Sequence, residues 1–184
     1  MSLKELTHEA HKNAETQPFV KILFSGKINP KLYATYLKNQ HPCYEILEVC
    51  AMPHQLLHGL IDIRRAPSIL ADFQELWDHE KDGDPQILPT TEEYIKYILS
   101  IKDDPKKLMA HLYVRHMGDL AGGQMIAKRV PGSGRMYKFE NPEVLKMAIR
   151  ERLSDDMADE AIVCFKFAEN IFKDMMELVE FTDE

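Results

Sequence analysis

The residues best placed to do chemistry lie between Tyr113 and Gln124, where Gly118, Asp119, Gly122 and Gly123 interrupt a segment whose flanks are helical in pattern. A glycine in a helix interior costs about 0.5–1 kcal/mol relative to alanine, so this run calls for a compensating role. Glycines at i, i+4 and i+5 share one side of a helix and leave bare backbone that a flat partner can approach. Two readings stand: a face for a flat ligand, with the Asp119 carboxylate holding water beside it, or close helix–helix packing through small residues. At the other end of the chain, Lys4, His11 and Glu15 share roughly one helix face. His11 is the candidate metal ligand, and Glu15, one turn on, could hold its second ring nitrogen as a metal-bound histidine requires. Taken alone, His11 reads first as a surface or satisfied core residue, the usual place of a histidine in an amphipathic helix.

Other constellations fall short of a site. His8-Glu-Ala-His11 lacks the i, i+4 spacing of a zinc protease helix. Cys50, His54 and His58 form a stripe that Pro53 interrupts, with no fourth ligand in view. A carboxylate-bridged di-iron bundle wants two Glu-x-x-His pairs, and only Glu5-Leu-Thr-His8 fits. No Ser-His-Asp elbow, phosphate loop or dinucleotide fingerprint is present.

Helices must position these groups, and proline marks their boundaries. Ser2-Leu-Lys-Glu5 is a capping box opening a first helix that Gln17-Pro18 ends. Residues 19–24 form a short second helix closed by Ser25-Gly26, and Asn29-Pro30 opens a third that runs past Glu48 with a kink expected at Pro42. Ala66-Pro67-Ser68 opens a helix to about residue 81, and Asp82-Gly-Asp-Pro85 is a loop. Thr90-Thr-Glu-Glu93 is a second capping box, for a helix to about residue 102. Asp104-Pro105 starts the long glycine-bearing helix, which Pro131-Gly-Ser-Gly134 terminates. Asn141-Pro142 opens the next, and Ser154-Asp155 caps a last helix rich in Met and Phe, from about residue 156 to 179. No strand alternation is visible, so the fold expected is all-α, a single-domain helical bundle over residues 1–184.

Composition agrees with that expectation and narrows the partners. A chain of 184 residues buries a core without disulfide or metal staples. Cys43, Cys50 and Cys164 form no CxxC pair and leave one unpartnered, which suits a reducing compartment. No apolar run of about 18 residues could span a bilayer, no signal-like stretch follows Met1 and no anchor motif stands at the C-terminus. A soluble, cytoplasmic protein is expected. A net charge of −7 argues against nucleic acid as a partner. Residues 102–150 nevertheless carry ten Lys or Arg against five Asp or Glu, which suits an anionic ligand or an acidic protein.

Taken together, in order and along nearly the whole chain, these motifs resemble the haem oxygenases. Tyr113-x-Arg115-x-x-Gly118-Asp119-Leu120-x-Gly122-Gly123-Gln124, preceded by Ala110-His111, is similar to that family's distal-helix segment. Leu3-Lys4-Glu5-x-Thr7-x-Glu9-x-His11-x-x-Ala14-Glu15 is similar to its proximal helix. Tyr44 with Leu47-Glu48 matches a helix near the haem, and Lys146-x-x-x-Arg150 and Phe167-x-x-Asn170 match the last two helices. The resemblance implies a haem sandwiched between a proximal N-terminal helix, with His11 as iron ligand and Glu15 behind it, and a kinked distal helix bearing Gly118, Gly122 and Gly123. It implies propionate contacts from Lys4, Tyr113, Lys146 and Arg150, the last two forming a two-pronged clamp, and places Phe167 in the haem-binding set. Asp119 beside Gly118 would order the water that feeds protons to oxygen chemistry, with Arg115 and Tyr44 supporting that network.

Haem would be cofactor and substrate at once, cleaved with O2 to biliverdin IXα, carbon monoxide and ferrous iron. Electrons would come from a separate donor, expected to be ferredoxin, docking near Lys106, Lys107, Lys128, Arg129 and Arg135, and the product would pass to a bilin reductase. The family's usual tyrosine, leucine and serine are replaced by His116, Met117 and Ala121. His116 is expected to point off the haem face. Were it to reach the iron, the protein would be a haem carrier, and a di-iron oxidase on the same scaffold is the other alternative. His41-Pro42 also replaces a more regular stretch, which leaves the placement of Tyr44 open.

Overall fold

A computed structural model describes the backbone of residues 1–60 and 62–182, with side chains through Val179. The described residues are helical, with no strand among them. The helices are α1 (Leu3–Leu6), α2 (His8–Glu15), α3 (Pro18–Phe24), α4 (Pro30–Ala51), α5 (Ala66–Leu76), α6 (His79–Asp82), α7 (Pro89–Ser100), α8 (Pro105–Leu112), α9 (Gly118–Ala127), α10 (Pro142–Arg150) and α11 (Ala158–Thr182). Helices α4 and α11 are the long struts. Both contribute to each of two apolar clusters, one around Leu47, Tyr94, Leu108 and Ala161, the other around Phe19, Tyr33, Phe73 and Ile171. Helix α4 packs against α5, α7 and α8, and α11 packs against α2, α3, α7 and α8. Among the described residues no helix is long and apolar enough to cross a membrane.

Several boundaries differ from the sequence expectation for identifiable reasons. The first helix opens on the Ser2–Glu5 capping box as expected, then breaks at Thr7, whose buried hydroxyl bonds back to the Leu3 carbonyl at 2.9 Å. Helix α4 continues through Pro42 without ending. Helix α5 stops at Leu76, short of residue 81, because Trp77 turns extended and the Asp78 side chain caps a separate turn on the N–H groups of Glu80 and Lys81. Helix α7 is not started by a capping box at Thr90. Asp174 of α11 accepts the Thr90 N–H at 3.1 Å, and the Thr91 hydroxyl donates to Asn39 of α4 at 2.8 Å. A tertiary partner has taken the capping role.

Candidate active site

The glycine-bearing segment is two helices joined by a wide turn. Residues Tyr113–Met117 form one π-helical turn between α8 and α9, and such a turn adds a residue to the helical repeat and reorients the helix beyond it. Two consecutive side chains, Arg115 and His116, are thereby both buried. Arg115 lines a cleft, whereas His116 is turned to Glu48 of α4, with Nε2 2.8 Å from Oε2.

That cleft encloses about 230 Å³ between α2 and α11 on one side and α9 on the other, with α4 and the turn Arg135–Tyr137 contributing to its walls. It opens to solvent where His11, Glu15, Gly118 and Gly122 are exposed. A Cβ on Gly118 or Gly122 would meet nothing within 4 Å, so both present bare backbone to open space. Gly123 also lines the cleft, but a Cβ there would overlap the ring of Tyr137. The two readings of the glycine run are thus divided between residues: Gly118 and Gly122 leave room for a ligand, and Gly123 makes room for a tyrosine.

Across the cleft His11 Nε2 lies 3.3 Å from Glu15 Oε2, and the imidazole stacks on Phe165 at 5.1 Å between centroids. Val20, Leu23, Ile126 and Phe172 supply apolar wall. The polar floor centres on Asp119, whose Oδ2 accepts the Tyr44 hydroxyl at 2.7 Å. Burial pushes the Asp119 carboxyl up to about 6, against the opposing pull of the Tyr44 hydrogen bond and of His116, Arg65 and Arg115. The Arg115 guanidinium donates from Nη1 to Gln40 Oε1 at 3.2 Å and from Nε to the Tyr94 hydroxyl at 3.0 Å. Its Nη2 is buried without a protein partner, a donor that ordered water or an acidic ligand group in the cleft would satisfy. Tyr94 continues through His111 Nδ1 at 2.7 Å to Glu160, 2.9 Å from Nε2.

The structure gathers His11, Glu15, Tyr44, Arg115, Gly118, Asp119, Gly122 and Gly123 around one cleft, though they come from three helices and a turn. It does not bring Phe167 there. Phe167 packs on Tyr94 and Tyr97 at 5.0 and 5.3 Å, and the aromatic partner of His11 is Phe165, two residues earlier. Lys4, Tyr113, Lys146 and Arg150 are not among the lining residues either. Lys146 pairs with Glu143 at 3.0 Å, and α10, which carries it and Arg150, packs on α9 and the wide turn. The basic stretch is not one patch. Lys106 and Lys107 begin α8 while Lys128 and Arg129 follow α9, about 30 Å away along the helices. Lys106 is paired with Asp156, and Arg135 with Asp72 and Glu75. Sequence reasoning passed over Gln40, Phe165 and Phe172. The spacing of Phe165, Ala168 and Phe172 is a helical stripe that was readable, but nothing local says which stripe of α11 meets the cleft.

A helical bundle that closes on a flat cleft from two sides, one bearing a histidine and the other bare backbone, is a class of ligand-sandwiching protein. Within that class the chain belongs to the haem oxygenase family: the family model described as "Heme oxygenase" matches residues 1–180. It is 26% identical over 201 residues to heme oxygenase 2 of Macaca fascicularis, covering 94% of this chain and 64% of that protein. The chain therefore spans about 64% of the length of the curated mammalian relatives it matches. It superposes on the heme oxygenase of Leptospira interrogans with a TM-score of 0.78 at 26% identity, covering 94% of this chain and 98% of that one. Heme oxygenase-1 of the cyanobacterium Synechocystis, in complex with heme, gives a TM-score of 0.80 at 20% identity, covering 98% and 95%. At that identity the second likeness speaks for the fold.

Proposed function

We propose that this chain cleaves haem oxidatively to biliverdin, of the IXα isomer, with release of carbon monoxide and ferrous iron, using O2 and electrons from an external donor of the ferredoxin class. The observation that carries the reading is the pairing of a histidine–glutamate couple with bare glycine backbone across one cleft, a buried carboxylate beside it. Bound haem would supply the iron that activates O2 and the carbon skeleton that is oxidised. His11 would ligate the iron, with Glu15 orienting the ring. Gly118 and Gly122 would let the ring plane lie against the helix and leave no side chain there to be oxidised. Asp119, with Tyr44 donating to it, would hold the water that passes protons, and Arg115 and Gln40 would fix that water from the side. The phenylalanines and aliphatic residues of the walls would exclude bulk water. Lys4, Tyr113, Lys146 and Arg150 would meet the propionates where they leave the cleft.

A haem carrier with two axial histidines would need His116 in the cleft, and its ring is engaged by Glu48. A di-iron site would draw on Glu5, which is committed to the Ser2 capping box. The deciding experiment is a single turnover: protein with one equivalent of hemin, then a ferredoxin or ascorbate reducing system in air. Loss of the Soret band with growth of a broad red biliverdin absorption is expected. An intact Soret band would replace this reading with a carrier, and failure to bind hemin would replace it with a different chemistry on the same scaffold.

A further inference from the structure

A chain of polar side chains leaves the cleft at Arg115 and ends near the surface, and the proposed chemistry uses only its first member. The Arg115 Nε donates to the Tyr94 hydroxyl of α7 at 3.0 Å. That hydroxyl also lies 2.7 Å from His111 Nδ1 of α8, and His111 Nε2 lies 2.9 Å from Glu160 Oε1 of α11. Tyr97, one turn along α7 from Tyr94, donates its hydroxyl to the same Glu160 oxygen. Tyr94 and His111 are wholly buried, and Glu160 reaches the surface with 13% of its side chain exposed. Three helices are thereby pinned to the wide turn through one phenol oxygen. A phenol oxygen accepts as well as donates. With His111 Nδ1 bare, Tyr94 donates to it; with Nδ1 protonated, Tyr94 accepts from it. Either order leaves a lone pair for the Arg115 Nε–H, so the hold on Arg115 does not depend on the charge of His111.

Arg115 and Asp119 stand four residues apart, a spacing at which opposite charges on one helix ordinarily pair. Here they bond elsewhere. Arg115 is held by Tyr94 and Gln40, with its Cζ 4.2 Å from the Tyr94 ring centroid, and Asp119 takes the Tyr44 hydroxyl. Both groups line the cleft and both abut Tyr44, whose ring centroid is 5.4 Å from Arg115 Cζ. The remaining guanidinium nitrogen, Nη2, is buried without a protein partner. An arginine released from Tyr94 would have the buried carboxylate of the cleft, Asp119, to turn to, and the direct pair would satisfy both charges within the protein.

We propose that Tyr94, braced by His111 and Glu160, is a positioning residue that keeps Arg115 off Asp119, so that the cleft presents a cation and a carboxylate separately to its ligand. None of the three lines the cleft. His111 and Glu160 act through Tyr94, and Tyr94 acts through Arg115.

The test uses the ligand-free protein, so it does not depend on turnover. The Asp119 carboxyl carbon is followed against pH by NMR with labelled aspartate and assigned by its loss in Asp119→Asn. Tyr94→Phe deletes the hydroxyl and keeps the ring, and the Asp119 midpoint, which burial sets at about 6, should fall by about 1–3 pH units as Arg115 closes on it. Tyr44, His116 and Arg65, the other groups that act on Asp119, are untouched by that substitution. Glu160→Leu, at the far end of the chain, should shift Asp119 the same way, while Glu160→Gln, whose amide oxygen still accepts from His111, should keep the parent midpoint. A general loosening of the fold would also move Asp119, so each shift is measured again on an Arg115→Gln background, where it should vanish. An unmoved midpoint in either folded variant, a Glu160→Gln shift equal to that of Glu160→Leu, or a shift that survives Arg115→Gln overturns the proposal. The consequence for catalysis rests on the haem-cleaving reading: Tyr94→Phe should lose biliverdin yield several-fold. A shifted Asp119 with an unmoved yield would leave the positioning role standing and remove Asp119 from the mechanism.

Discussion

Asp119 is the residue on which most of the proposed chemistry converges. Its carboxyl is lifted to about 6 chiefly by burial, while in an unfolded chain it returns to the ordinary aspartate range. The folded protein therefore binds this proton more tightly than the unfolded one. The stability it contributes is complete below about pH 4 and lost as pH rises through about 6. Asp119→Asn should melt higher than the parent at pH 7, by up to about 2–3 kcal/mol, and the gap should close by pH 4. Melting curves at four pH values decide it, and a gap independent of pH would refute the burial argument. Asp119→Ala is expected to bind hemin normally and lose biliverdin yield. His11→Ala should alter the optical and paramagnetic signature of bound ferric haem, because the axial nitrogen is gone. At this scale the sequence was legible where side-chain types repeat at helical spacing, as with His11 and Glu15. It was not legible at Phe165 and Phe167: two phenylalanines on one helix are chemically equal, and only packing turned Phe165 to His11 and Phe167 to Tyr94.

Among the elements the distal helix carries the sharpest expectation. Gly122 faces open space and Gly123 backs onto Tyr137, so alanine at the two positions should act in opposite directions on the ligand-free protein. Gly122→Ala should stabilise it by about 0.5–1 kcal/mol through helix propensity, and weaken hemin binding because a methyl group enters the cleft. Gly123→Ala should destabilise it, since a buried ring must move. Denaturant melts of both variants, followed by hemin titration, check the pair. Equal effects would return the whole glycine run to a single role. The π-turn was not foreseen. Its residues, Tyr113 to Met117, contain nothing that a regular helix refuses, and the turn is held instead by tertiary partners, Glu48 on His116, with Gln40 and Tyr94 on Arg115. Helix α7 teaches the same lesson, its cap coming from Asp174, which lies 84 residues further along the chain.

Across the whole molecule, charge would decide how the proposed electron donor approaches. Arg129 donates to the carbonyl of Phe24, which lines the cleft, so the cationic end of α9 borders the opening and the start of α8 does not. Turnover with an acidic ferredoxin should fall as ionic strength rises. Lys128→Glu should slow it several-fold, whereas Lys107→Glu should leave it near the parent rate. A salt-independent rate, or equal losses in both variants, would remove the docking face from this end. The all-helical architecture and most helix starts were determined by the sequence itself, because proline at a helix start, capping side chains such as Ser2 and Asn29, and apolar periodicity act over a few residues. The motif order also identified the family. Only the tertiary structure decided that Gly122 and Gly123 have different neighbours, that His116 turns to Glu48 and that Arg115 holds Gln40 and Tyr94. Such choices depend on which faces of α4, α9 and α11 meet, and burial energy is settled between faces that no local stretch of sequence contains.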